Sequence, residues 1–189
     1  MPKRSSEFAA YDRELKKEAE VADLEAFLNG YRLATGELLE MDEMGESPDA
    51  VCIRPDGSRI GVELTQVRRS PDDAHWQAVL DNRDEMDPEE TCDEIWRLIS
   101  QKAELRKSFR IERNILMIAL RESDFRIVVG LAKLIPIKDL ESTGFEEIWI
   151  ADFKGIWDGA HREAVLFGLL PEQYRFETER SMFDQKPYG

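Results

Sequence analysis

Histidine and cysteine are scarce in this chain, with only two of each among 189 residues. His75 and His161 are lone histidines far apart in sequence, and a zinc centre or a Ser/His/Asp arrangement built from them has no support in the spacing. Cys52 and Cys92 are too few for a metal cluster; both sit in apolar contexts and read as buried thiols. No glycine loop of the phosphate-cradling type occurs, and there is no repeat or low-complexity tract. Nor does any apolar run approach the roughly 18 residues of a membrane span. Met1-Pro2-Lys3-Arg4-Ser5 leads into a charged helix rather than an apolar signal segment, so a soluble, cytoplasmic protein is expected, without a membrane partner. Positive charge is also short. Lys and Arg number 26 against 40 Asp and Glu, a net charge of −14 that opposes unspecific attraction to a phosphate backbone. Basic residues concentrate locally from Arg97 through Lys102, Arg106, Lys107, Arg110 and Arg113, while the acids gather in the first helix, from Glu37 to Glu46 and from Asp81 to Glu94.

What is present is enough apolar residue, 42% of the chain, for one α/β core. The expected organisation is a single domain over 1–189: an N-terminal helix in 1–36, a core in 37–153 and an irregular tail in 171–189. Its centre is a hairpin. Ala50-Val51-Cys52-Ile53 is a short apolar run, and Ile60, Val62 and Leu64 alternate with Gly61, Glu63 and Thr65 at the strand period of two. Pro55-Asp56-Gly57 suits a three-residue loop, with proline presetting the first position and glycine taking the left-handed one. If Arg54 and Ser58 flank that loop, Val51 lies opposite Gly61, Asp49 opposite Glu63, and Thr65 follows on the face of Glu63. Facing carboxylates repel unless a cation sits between them, and a hard divalent ion with oxygen ligands removes the conflict. A two-residue Asp-Gly loop is the competing reading; it slips the register by one and sends the two acids to opposite faces.

Ser47-Pro48-Asp49, the hairpin and Gly61-Val62-Glu63-Leu64-Thr65 resemble the PD-(D/E)XK, or restriction-endonuclease-like, nuclease superfamily, over roughly Leu38 to Leu120. The resemblance implies a mixed central sheet flanked by helices. It also implies Mg2+ or Mn2+ held by Asp49 and Glu63. Thr65 stands where that superfamily carries a lysine that orients or activates the attacking water, and some of its variants supply the lysine from the following helix. Glutamates on the first helix assist the metal in some members; Glu25 and Glu37 are placed to do so, although both read more simply as solvated acids.

The remaining elements follow from pattern. A helix over Ser6 to Ala34 presents Leu15, Ala19, Ala22, Phe27, Leu28 and Tyr31. Leu38 to Met41 forms a first strand. Arg68 and Arg69, just past the hairpin, are candidate contacts to a nucleic-acid backbone, although an arginine pair at a strand end more often belongs to plain surface, and Ser70-Pro71-Asp72-Asp73 starts a short helix. A longer helix runs from Asp87-Pro88 to about Phe109, acid first and basic last as the helix dipole favours. Its stripe of Ile95, Leu98, Ile99, Leu105 and Phe109 includes Lys102 where an apolar residue belongs. That lysine either snorkels along the apolar surface or reaches Glu63 in place of the one missing at Thr65; Gln101 beside it is a candidate substrate contact. Asn114 to Leu120 reads as a buried parallel strand. Ser123 caps a helix from Asp124 to about Ile135, Phe145 to Phe153 is another strand, and Ala164 to Leu170 is an edge strand. These features suggest a Mg2+- or Mn2+-dependent nuclease acting on DNA, with Asp49, Glu63, Thr65 and Lys102 as its catalytic group. The alternative is a nuclease-like fold without catalysis, serving as a binding or assembly module. A homodimer or a partner protein is compatible with both.

Overall fold

A computed structural model of the chain describes residues 6–67, 86–121, 123–153 and 163–184, with the side chains of 17–178 placed within those ranges. The predicted helix after Ser70 and the two histidines lie outside the described residues. In chain order the elements are α1 (Ser6–Thr35), β1 (Glu40–Met44), β2 (Ala50–Ile53), β3 (Arg59–Gln66), α2 (Pro88–Arg106), β4 (Asn114–Leu120), α3 (Phe125–Ala132), α4 (Ile137–Ser142), β5 (Glu147–Asp152), β6 (Val165–Leu170) and α5 (Glu172–Asp184). The strands form one six-stranded mixed sheet in the order β1-β2-β3-β4-β5-β6. β1, β2 and β3 make an antiparallel meander, β3, β4 and β5 run parallel, and β6 returns antiparallel.

Each face of the sheet carries its own apolar layer. α1 sets Leu24, Phe27 and Tyr31 against Val62, Ile115, Met117 and Trp149. α2, α3 and α4 set Ile95, Ile99, Val128, Val129 and Leu140 against Leu116, Ile118, Ile148 and Ile150. The parallel strand β4 is therefore buried on both faces at all seven positions, which is why its sequence is continuously apolar from Ile115 to Leu120 instead of alternating. α1 approaches the start of β6 closely enough that a Cβ on Gly30 would stand 2.2 Å from the Ala164 carbonyl oxygen, and the Ala164 amide donates to the Ala26 carbonyl at 3.0 Å.

Several boundaries differ from the sequence reading. Ala19 and Ala22 are exposed, because the buried stripe of α1 runs instead through Leu24, Phe27 and Tyr31. The first strand begins later, at Glu40, and runs on through Asp42 and Glu43 to Met44. Leu105 is exposed and α2 stops at Arg106. Ser123 is not the cap of α3; Asp124 is, its side chain accepting from the Ile127 amide, while the Ser123 hydroxyl meets that of Thr91 at 3.0 Å. Cys52 is buried as expected but Cys92 only partly. The largest correction is at the C-terminus: the segment expected to be irregular contains α5. Tyr174 packs on Trp149, and polar groups hold the rest of that helix. Arg175 donates to the carbonyls of Lys133, Ile135 and Leu169, and the Thr178 hydroxyl accepts from the Gly168 amide at 3.2 Å. Such anchors leave no apolar periodicity to read.

Candidate active site

The hairpin that carries the acids has the three-residue loop. The Arg54 amide donates to the Ser58 carbonyl, the Gly57 amide donates to the Arg54 carbonyl, both at 2.9 Å, and Gly57 takes a left-handed φ of 81°. Asp56 closes the loop by accepting from the Ser58 amide and hydroxyl at 2.8 and 2.6 Å. The resulting register pairs Val51 with Gly61 and Ala50 with Val62. One step further along this ladder Asp49 stands opposite Glu63. There β2 has ended, so the Leu64 amide, which would have no strand partner, donates to Asp49 Oδ2 at 2.7 Å. A side chain thus substitutes for a missing ladder bond, and that substitution ties the carboxylate to the sheet beside Glu63.

Pro48 is buried against Gly61. A Cβ at Gly61 would come 2.7 Å from Pro48 Cγ and 2.2 Å from Asn114 Oδ1. The glycine is what lets the Pro48-Asp49 corner sit on β3. Its role was not visible in the alternation of β3, since a small residue on a strand face carries no signal of what lies over it.

Glu63 sits on the α2 side of the sheet in register with Leu116 of β4 and is only 4% exposed. Above it α2 is fixed at its start by Asp87, whose Oδ1 accepts from the Glu89 and Glu90 amides at 2.9 and 3.2 Å. Ile95 and Ile99, both fully buried, seat the same helix face on the sheet. Lys102 lies one turn beyond Ile99 and its Nζ donates to Glu63 Oε1 at 2.5 Å. Of the two readings of Lys102, the one in which it reaches the glutamate is the one observed. Glu63 Oε2 is buried and has no hydrogen-bond partner. Burial raises the Glu63 carboxyl above its usual range; the Lys102 hydrogen bond and charge pull it back, and the Asp49 charge raises it further.

Thr65 follows on the same face, half-buried and in register with Ile118, but no hydrogen bond joins it to Asp49, Glu63 or Lys102. Gln101 is exposed, and its side-chain oxygen accepts from Arg97 at 3.4 Å; it shares no contact with the pair of acids. Arg68 and Arg69 lie outside the described residues. Of the two helix-one candidates, Glu25 is exposed and Glu37 pairs with Arg54 at 2.8 Å. The structure therefore brings together Asp49, Glu63 and Lys102.

Among the described residues no group of three or more His, Cys, Asp or Glu side chains converges as a metal cage. Two carboxylates with one buried oxygen unsatisfied do fit an ion that takes its remaining ligands from water and substrate, as Mg2+ does. No helix among the described residues is long and apolar enough to cross a membrane. Compared with protein-family models, curated proteins and solved structures, the chain finds no match.

Proposed function

We propose that this chain is a divalent-cation-dependent nuclease of the PD-(D/E)XK type, hydrolysing phosphodiester bonds in DNA. The observation that carries the reading is the lysine of α2 reaching the glutamate of β3, with a buried carboxylate oxygen left without a partner beside Asp49. Asp49 and Glu63 would hold Mg2+ or Mn2+, an ion that stabilises charge developing on a phosphate and acidifies water. Asp49 is positioned for this by the Leu64 amide. Lys102, an ammonium beside Glu63, would orient the attacking water and offset the charge of its phosphate target. Thr65, on the same face, is the nearest hydroxyl along β3 and would donate to that water or to a phosphate oxygen, with Arg68 and Arg69 as backbone contacts.

A second reading has its own support. Lys102 already neutralises Glu63 without any metal, so the same geometry suits a fold that binds or assembles and does not cut. Calorimetry with Mn2+ and cleavage of plasmid DNA separate the two. The expected result is Mn2+ binding and Mn2+- or Mg2+-dependent cleavage by the wild type, both lost in Asp49→Asn and Glu63→Ala. Cleavage undiminished in Glu63→Ala sinks the mechanism; no Mn2+ binding by the wild type favours the non-catalytic reading.

A further inference from the structure

On the opposite face of the sheet from Glu63 lies a second buried ionic group, centred on Arg54. Its side chain, 9% exposed, pairs with Glu37 at 2.8 Å, with Glu146 at 3.3 Å and with Glu147. Glu147 is itself 3% exposed. It accepts from the Tyr31 hydroxyl at 3.1 Å through Oε1 and from Trp149 Nε1 at 2.7 Å through Oε2. Arg113 closes the outer side on Glu146 at 2.7 Å. The group joins the end of α1, the hairpin and the start of β5, and none of its members touches the acids of the candidate site.

Its position relative to the turn gives it a role. β2 is apolar at all four of its residues, so both faces of the strand are apolar and hydrophobic patterning does not choose between the two registers available to the hairpin. Arg54, the next residue, does distinguish them. With the three-residue loop it points to the α1 side, among Tyr31 and Glu147. With a two-residue Asp56-Gly57 loop it would stand opposite Arg59, like charge against like, and its side chain would turn to the other face, away from all three glutamates. Glu147 would then be buried without its cation, which is strongly unfavourable. Pro55 adds to the bias, because in the slipped turn it would occupy a ladder position without an N–H to donate. The same slip would move Asp49 to the face opposite Glu63.

We infer that Arg54 is a positioning residue, a register lock whose clamp on the glutamates of the α1 face sets Asp49 against Glu63 on the α2 face. The consequence for metal binding rests on the nuclease reading; the register itself does not. Fixing register is the best-attested use of a buried polar group, and here it acts across the thickness of a sheet.

The test uses the full chain. Arg54→Met combined with Glu147→Gln removes the lock without leaving a buried uncompensated carboxylate. A second variant adds deletion of Pro55, which leaves Asp56-Gly57 as a two-residue loop flanked by positions 54 and 58, a turn that favours the native pairing by itself. Register is read by NMR from the Hα–Hα contact between Val51 and Gly61, and the site by Mn2+ calorimetry. The double variant is expected to lose that contact as its single register and to bind Mn2+ about 10–100-fold more weakly, the range seen when groups behind a metal's ligands are removed. Deleting Pro55 is expected to restore both. A double variant that keeps the Val51–Gly61 contact overturns the proposal, as does one that unfolds and is not rescued by the deletion. If the wild type binds no Mn2+, the metal reading fails while the NMR comparison still decides the lock.

Discussion

Lys102 and Glu63 form a pair in which each partner has a distinct exposure, 19% for the lysine side chain and 5% for the glutamate. The glutamate therefore bears most of the burial cost, and burial is the main reason its carboxyl is raised, ahead of the opposing Lys102 hydrogen bond. A carboxyl raised on folding costs stability at every pH above its folded pKa, and that cost disappears as pH falls through the folded value toward the unfolded one. Lys102→Met removes the charge that holds the carboxyl down, so its folded pKa rises further. At neutral pH the variant should lose roughly 3 kcal/mol, the low end for one partner of a buried pair because the lysine is partly solvated. Two additions should repair it: mild acid, which protonates Glu63, and Mn2+, which replaces the ammonium. Thermal denaturation from neutral pH down into the carboxylate range, with and without Mn2+, measures both. A deficit that does not change with pH would mean that the pair is not what the lysine contributes. The stabilisation by Mn2+ should also be larger in Lys102→Met than in the wild type, while cleavage is lost.

The sheet ends at α5, which packs Tyr174 on Trp149 and is otherwise held by single polar contacts. Thr178 is 4% exposed; its hydroxyl donates to the Tyr174 carbonyl at 2.6 Å and accepts from the Gly168 amide at 3.2 Å. Thr178→Val keeps the shape and strands the Gly168 N–H, which should cost about 1–3 kcal/mol. Chemical denaturation should show the loss, and amide exchange should localise it to β6; unchanged protection at Gly168 would show that the hydroxyl is dispensable. This contact also shows why α5 could not be read from sequence. α1, α2 and β4 were legible because periodicity and a continuous apolar run record burial and a Pro-led cap records a helix start. Register at the hairpin was legible only in part, because Pro55-Asp56-Gly57 suits the three-residue loop yet its Asp-Gly pair also fits a two-residue turn, and Lys102 stood out as a charge in an apolar stripe without its partner being fixed. α5 turns Arg175 and Thr178 toward the sheet edge, and polar residues facing inward look the same in sequence as polar residues facing water. Arg54 was missed for that reason, as an ordinary arginine before a turn. α4 is six residues long, too short for its period to show.

At the scale of the whole molecule the two sheet edges and the charge decide what can approach. The β6 edge is occupied, its Gly168 amide and Leu169 carbonyl being taken by Thr178 and Arg175 of α5. The β1 edge carries exposed acids and a break in register between Met41 and Glu43, devices that oppose strand addition. For nucleic acid the same acids are a barrier. Asp42 and Glu43 both bind Arg59, at 2.8 and 2.9 Å, so that arginine is neutralised and one negative charge of the three-residue group is left over. β1 and β2 are neighbours, and Asp49 follows from the turn that joins them, which puts this excess close to Asp49. A charge pair about 10 Å apart in water is worth about 0.4 kcal/mol, and at 0.15 M salt the screening length is about 8 Å. Removing two acids should therefore tighten DNA binding a few-fold at low salt, with the gain fading as salt rises. The measurement is fluorescence anisotropy with a DNA duplex, in a Glu63→Gln background that does not cut, comparing Asp42→Asn/Glu43→Gln with its parent at about 20 mM and about 200 mM salt. An affinity that does not change at low salt would show that this edge does not face the nucleic acid, and the substrate would have to reach Asp49 and Glu63 from the α2 side alone.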